Sequence, residues 1–177
     1  MSSLYSLKDS NITKTWGLMG IFFVVVIFVG WVFAQAYQSS AILYGAVLLS
    51  LLMNVTSYWY SDTIALAVSG AKSVSREEYF DLYTVTENLC ITAGIPMPKV
   101  YVINDPAPNA FATGRNPKHA SIAVTSGLLE SLSRVELEGV VAHELAHIKN
   151  YDILLSTAVV VLVGFLSLLS DFFLRSM

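Results

Sequence analysis

The sequence predicts an α+β membrane protein, in which a hairpin of two N-terminal transmembrane helices precedes a small sheet, a polar helix and a hydrophobic C-terminal helix. Hydrophobic residues make up 55% of the chain and charged residues 13%, against about 25% charged in an ordinary soluble domain. Short β-branched runs bounded by proline or glycine, which are typical of strands, follow the apolar part. The net charge of −3, with no basic stripe, argues against a nucleic-acid partner.

The first apolar stretch contains no charged residue or histidine between Thr15 and Ser61. As one helix it would be about 70 Å long, whereas the hydrocarbon core of a bilayer is about 30 Å thick. It therefore predicts two transmembrane helices, at residues 16–36 and 41–60 within the region 16–62, after a tail of residues 1–15. Aromatic residues crowd the ends of these segments, as interfacial aromatics do: Trp16, Trp31, Tyr37, Tyr58, Trp59 and Tyr60.

The charged residues that flank the two segments predict their orientation. The basic flanking residues are Lys8, Lys14, Lys72 and Arg76, and the connecting loop has no charge. Because cytoplasmic flanks carry the excess of Lys and Arg, the tail and the region 72–152 are expected in the cytoplasm. A small transporter is disfavoured because it would carry charged groups inside its transmembrane helices.

The polar region begins with a capping-box pattern, Ser75 to Glu78, which predicts a helix over residues 76–93 that Gly94 ends. The lone Cys90 within it excludes an internal disulfide and is expected to be a buried thiol. The elements predicted next are a strand at 99–104, a strand at 110–113, a turn at 115–118, a strand at 120–125 and a short helix at 128–132.

A second capping box, Ser133 to Glu136, predicts the start of a further helix. Its apolar residues recur at helical spacing and predict one buried stripe: Leu137, Val141, Leu145 and Ile148. Gly139, Ala142 and Ala146 form a stripe of small residues, where a neighbouring element is expected to approach closely.

The polar face of this helix carries the pattern His-Glu-x-x-His at residues 143–147. Side chains four residues apart lie above one another, so His143 and His147 can bind one Zn²⁺ at about 2.0–2.1 Å. Zinc lowers the pKa of a bound water, and Glu144 is placed to take the proton of that water as it attacks a peptide carbonyl. The alternative is a pair of solvated histidines on an ordinary amphipathic helix, which the cap and the helical register disfavour.

The remaining histidine, His119, and the aspartate Asp152 are two further candidates for the predicted site. His119 lies in a predicted turn and is expected at the surface. Asp152 follows the helix, either as a turn residue or as a group that orients a histidine, and its spacing argues against direct metal ligation.

Four motifs resemble the HtpX-type membrane zinc metalloproteases: Pro-Lys-Val-Tyr-Val-Ile (98–103), Pro-Asn-Ala-Phe-Ala-Thr-Gly (108–114), Ala-Val-Thr-Ser-Gly-Leu-Leu (123–129) and the run 137–152 around His-Glu-Leu-Ala-His. The resemblance covers nearly the whole chain. It implies a gluzincin-like catalytic region at 72–152, a Zn²⁺ cofactor, and a role in protein quality control and stress response at the inner or plasma membrane. The implied substrates are unfolded or membrane proteins. The extended pattern His-Glu-x-x-His-x-x-Asn-x-Asp adds Asn150 and Asp152.

The same resemblance places a strand at the edge of the active-site cleft, formed here by Asn109, Ala110, Phe111, Ala112 and Thr113. An extended substrate could pair with that edge and set its scissile carbonyl over the zinc. A plain structural strand is the equally weighted alternative.

The sequence departs from the family pattern at the third zinc ligand, a glutamate on a later helix that is not found here. The hydrophobic segment 153–174 is expected to be a third membrane helix in the parent protein, or else an interfacial one. We therefore expect the N-terminal portion of a longer protease, or a truncated product, that binds zinc weakly. A non-catalytic homologue that acts through partners is the alternative function, and no pattern predicts an oligomeric state.

Overall fold

The computed structural model describes residues 4–160 and 162–164, and it begins with two long helices, α1 (Leu4–Ala36) and α2 (Ser40–Val68). The Trp16 ring of α1 stacks on the Tyr58 ring of α2, with centroids 5.7 Å apart. Near the connecting turn, a Cβ added to Gly30 would lie 2.3 Å from the Cβ of Ala46. The two helices therefore form a tightly packed antiparallel hairpin, as predicted.

Both helices are longer than the predicted transmembrane segments. The parts long and apolar enough to cross a membrane are Lys8–Ala36 and Ser40–Val68. Helix α1 already begins at Leu4, within the predicted tail, and α2 continues past residue 60. No glycine or proline interrupts the chain before Gly17 or between residues 60 and 70. Hydropathy marks the bilayer crossing, whereas a helix continues until a residue stops it.

A four-stranded sheet follows, with strand order β1-β2-β4-β3. The strands are β1 (Lys72–Ser73), β2 (Lys99–Ile103), β3 (Ala110–Gly114) and β4 (Ala120–Thr125). Strand β4 pairs parallel with β2 and antiparallel with β3. The three predicted strands are confirmed, whereas β1 was missed because two residues show no alternation.

The first helix of the polar region, α3 (Phe80–Ala93), starts four residues later than predicted. The Ser75 hydroxyl accepts a hydrogen bond from the Glu78 N–H at 3.3 Å. However, the carboxylate that engages Ser75 belongs to Glu77, whose pKa is lowered by hydrogen bonds from its own backbone and from the Ser75 hydroxyl. The capping pattern therefore makes a turn, and the helix begins after it. Gly94, at φ 68°, ends the helix as predicted.

Three more α-helices follow, α4 (Ser126–Ser131), α5 (Arg134–Lys149) and α6 (Asp152–Gly164), and a short 3₁₀ helix (Pro117–His119) lies between β3 and β4. The short helix predicted at 128–132 corresponds to α4. Helix α6 leaves α5 at 88°. It covers the first part of the third hydrophobic segment, while residues 161 and 165–174 of that prediction lie outside the described residues.

The core lies between the sheet and the helices α3 and α5. All six residues of β4 are buried, so both faces of this central strand are covered. The predicted stripe of α5 joins the core, as does Cys90, where burial raises the pKa of the thiol to about 11. The small-residue prediction is wrong for the described part of the chain: a Cβ at Gly139 would meet no atom within 4 Å, and Ala142 and Ala146 are exposed.

The predicted capping box of α5 is confirmed. The backbone N–H and the hydroxyl of Ser133 donate to the Glu136 carboxylate at 2.8 and 2.6 Å, and these bonds lower the pKa of Glu136 below its ordinary value of 4.5. A carboxyl whose pKa is lower in the folded state stabilises the fold above its unfolded pKa, and this stabilisation is lost as the pH falls through the folded pKa.

We therefore expect Ser133→Ala to lower the unfolding midpoint of the detergent-solubilised protein at pH 7 by about 2–4 °C. The difference from wild type should shrink as the pH falls below about 4.5. Thermal unfolding followed by circular dichroism at several pH values checks this. Ser131→Ala, also on an exposed serine near this helix, is the control. A pH-independent difference would show that the carboxylate bond does not contribute.

Candidate metal centre

The polar face of α5 brings the two predicted histidines together. The Nε2 atoms of His143 and His147 are 3.1 Å apart, and the rings meet at 87°. Two nitrogens bound to one tetrahedral zinc at about 2.0–2.1 Å lie about 3.3 Å apart. The imidazoles therefore already have nearly the separation that one shared metal ion requires.

The orientation of His147 is set by Asp152, the first residue of α6. His147 Nδ1 lies 2.9 Å from Asp152 Oδ2. This pairing with an acceptor oxygen favours the tautomer in which Nδ1 is the donor, and Nε2 is the ring nitrogen on the side of His143. A carboxylate on the far nitrogen of a metal-binding histidine is the usual partner in such sites.

Glu144 is partly buried beside the first histidine. Within the part of the chain that the structure describes, its carboxylate has no hydrogen-bond or ion-pair partner. The Glu144 carboxylate is therefore not committed to a contact within the described protein.

The turn between α5 and α6 carries Asp152 and is fastened to the membrane hairpin. Asn11 of α1 donates through Nδ2 to the backbone oxygen of Asn150 at 3.1 Å and also to Asp152 Oδ1. Tyr151 between them adopts a left-handed φ of 62°, and Lys8 lies 4.8 Å from its ring centroid. Asn150 thus contributes its backbone oxygen to this junction.

The predicted substrate strand is β3, which lies at one edge of the sheet and pairs with β4. The Thr125 N–H donates to the Asn109 oxygen at 2.9 Å, and the Asn109 N–H donates to the Thr125 hydroxyl. Backbone N–H and C=O groups point to alternate sides along an antiparallel strand. Those of Phe111 and Thr113 therefore point toward β4, and those of Ala110 and Ala112 point to the unpaired edge of β3. Thr113 is anchored to α6, where its hydroxyl lies 3.0 Å from that of Thr157.

A cavity of about 740 Å³ lies beside this strand, between α2, β3 and α6. Its wall is mainly apolar and includes Met53 and Ile64 of α2, Phe111 of β3 and Val160 of α6. Strand β3 therefore borders an apolar space next to the membrane helices.

The third histidine takes no part in this site. His119 is exposed, and its Nδ1 lies 2.9 Å from the Asn116 side chain. The prediction of a surface residue is confirmed.

The sequence of residues 76–175 matches the model of peptidase family M48. This match covers more than half of the chain, including β2 to β4 and α5. The chain belongs to peptidase family M48.

Within the M48 family the chain is similar to proteins named protease HtpX homolog. It is 45% identical to the relative from Caldanaerobacter subterraneus over 99% of this chain and 59% of that protein. It is 56% identical to the relative from Tropheryma whipplei over 68% of this chain and 41% of that protein. The chain thus spans 59% or less of these curated relatives. The resemblance to HtpX-like proteases is confirmed.

A solved structure of S. mikatae Ste24p aligns with a TM-score of 0.48 and 18% identity, covering 91% of this chain and 38% of that chain.

M48 peptidases are metalloproteases, and the residues at the centre fit a metal ion in part. The two Nε2 atoms converge, and one imidazole is oriented from behind by a carboxylate. Among residues 4–160 and 162–164, no cluster of three or more His, Cys, Asp and Glu side chains is placed to hold an ion. The two converging imidazoles of His143 and His147 are thus the candidate ligands that the described residues offer a metal ion.

Sequence reasoning missed Asn11, which it placed in a tail. One signal was available: an asparagine next to an apolar transmembrane segment is costly to bury unless it has partners. The pattern did not say which partners it would find, because they lie about 140 residues away along the chain.

Proposed function

We propose that this M48 chain forms the membrane-anchored catalytic part of a zinc-dependent endopeptidase. The observation that carries the proposal is the pair of Nε2 atoms 3.1 Å apart, with His147 oriented by Asp152. His143 and His147 would hold the ion. The family pattern implies a glutamate as third ligand, which we expect from a later part of the protease.

A bound zinc ion would lower the pKa of water and polarise a peptide carbonyl. Glu144 accepts the proton of the attacking water and afterwards gives a proton to the leaving amine. Asp152 holds His147 through Nδ1, which leaves Nε2 as the nitrogen that would face the ion. The Glu144 carboxylate, unpartnered within the described part of the chain, and the hydrogen bond between His147 and Asp152 support this division of work.

The outer edge of β3 is the proposed place for the substrate backbone. Ala110 and Ala112 turn their N–H and C=O groups outward there, and α5 packs against this strand. Main-chain pairing depends little on the side chains of the substrate, and the adjoining cavity is apolar. Both features suit unfolded or membrane-protein segments as substrates.

We expect Ala112→Pro to reduce kcat/KM for protein substrates by roughly 3- to 10-fold, the effect of one lost hydrogen bond of about 0.5–1.5 kcal/mol. Proline removes the outward N–H, and it is tolerated on an edge strand whose inward ladder stays intact. Steady-state cleavage of a fluorescent peptide measures this. Ala112→Val adds bulk while keeping the N–H, so an equal loss in that variant would contradict pairing at this edge.

The cellular setting of the proposal follows from the charges around the hairpin. Lys8 and Lys14 precede the first membrane segment, and Lys72 and Arg76 follow the second. By the positive-inside rule the centre faces the cytoplasm from the inner or plasma membrane. Such a protease would remove damaged membrane proteins in quality control and under stress.

Two proteins test the function: the 177-residue chain, and an extended protein in which the region of the Caldanaerobacter relative that follows the aligned part is fused after Met177. We expect the extended protein to bind one equivalent of zinc tightly and to degrade casein, with loss of activity in a chelator and recovery on zinc addition. The shorter chain should bind zinc weakly and cleave little. Zinc analysis and casein gels provide the readouts.

The second candidate is a non-catalytic M48 homologue that binds partners. It is favoured by the two-ligand centre within the described part of the chain. An extended protein that folds but neither binds zinc nor cleaves casein would favour this function over the protease.

A further inference from the structure

We propose that Asn11 of α1 is a positioning residue of the metal centre, which holds Asp152 and thereby fixes the His147 imidazole with Nε2 facing His143. This inference rests on the proposed function, because it concerns the same pair of histidines. It assigns to a membrane helix a direct part in shaping the centre.

The contacts of Asn11 are specific. Its Nδ2 donates to the Asn150 oxygen at 3.1 Å and to Asp152 Oδ1. A carbonyl oxygen and a carboxylate oxygen are both acceptors, so only the nitrogen of the amide can face them. The side chain is 9% exposed, so water has little access to replace it.

These bonds complete a path from the membrane hairpin to the metal-facing nitrogen. One oxygen of Asp152 accepts from Asn11 and the other accepts from His147 Nδ1 at 2.9 Å. A carboxylate held at both oxygens cannot rotate about its own bond. The ring of His147 is then held in the orientation that leaves its Nε2 3.1 Å from that of His143.

Asn11 also fixes the backbone from which Asp152 projects. The Asn150 oxygen lies at the end of α5, and Tyr151 follows it in a left-handed conformation. The neighbouring cation, Lys8, sits over the Tyr151 ring and not on the carboxylate. Within the described part of the chain, Asn11 is therefore the side chain of α1 that reaches Asp152.

The first test determines the tautomer of His147 in the metal-free protein. In detergent micelles at one fixed pH, ¹⁵N NMR of labelled histidine should show His147 protonated at Nδ1. Asn11→Leu, which keeps the shape but not the donor, should give averaged signals of both tautomers. Asn54→Leu is the matched control, since Asn54 donates to the Ser50 oxygen inside α2 and lies outside the contacts of the centre.

The second test measures the zinc affinity of the same variants, made in the extended protein, by chelator competition. Loss of a direct partner of a ligand costs about 10- to 100-fold, so Asn11→Leu, one step further out, should cost about 3- to 10-fold. In an Asp152→Ala background the same substitution should have no further effect, because Asn11 acts on His147 through the Asp152 side chain, which this background lacks.

Wild-type tautomer signals and zinc affinity in Asn11→Leu would overturn the proposal, as would equal effects in both backgrounds. If Asn11→Leu does not fold, Asn11→Ala replaces it in the same cycle. If the extended wild-type protein binds no zinc, the proposed function fails, while the metal-free NMR comparison still decides the role of Asn11.

Discussion

Replacing Glu144 by glutamine in the extended protein is expected to lower kcat for casein or peptide cleavage by about 10²- to 10⁴-fold, the usual contribution of a general acid–base residue. Glutamine has nearly the shape of glutamate but cannot accept the proton of the attacking water. Because the Glu144 carboxylate has no partner in the described structure, its removal leaves no buried donor unsatisfied. The fold and the zinc affinity should therefore remain unchanged.

A matched control for this experiment is Glu138→Gln, on the same helix. Glu138 is exposed and pairs with Arg134 at 3.8 Å, away from the histidines. It should cleave casein at the wild-type rate. Retention of more than a tenth of the activity in Glu144→Gln, with normal zinc content, would exclude Glu144 as the proton acceptor.

The second large effect is expected for the histidines themselves. His143→Ala and His147→Ala should each weaken zinc binding by more than about 100-fold, because removal of a ligand exceeds the 10- to 100-fold cost of removing its outer partner. The two substitutions together should cost little more than either alone, since one imidazole cannot hold the ion in place. Chelator competition on the extended protein measures the affinities.

His119→Ala controls for the loss of a histidine as such, because His119 is exposed and pairs with Asn116. It should bind zinc like the wild type. If His119→Ala weakened zinc binding as much as His147→Ala does, the paired imidazoles on α5 could not be the ligands.

The elements that the sequence predicted correctly depend on local patterns. The helix α5 was located by its cap at Ser133 and by the apolar residues Leu137, Val141, Leu145 and Ile148, all of which are buried. Two errors concern the bounds of helices, which local patterns alone did not predict correctly. The Ser75 box makes a turn before α3, and α1 begins twelve residues before the predicted transmembrane segment.

The sequence by itself determined the paired histidines, because a spacing of four residues on a helix places two side chains on one face whatever surrounds them. Only the tertiary structure decided how His147 is oriented. That depends on Asp152 across an 88° bend and on Asn11 from a helix at the other end of the chain. Contacts between residues so far apart arise from packing, and packing has no period in the sequence.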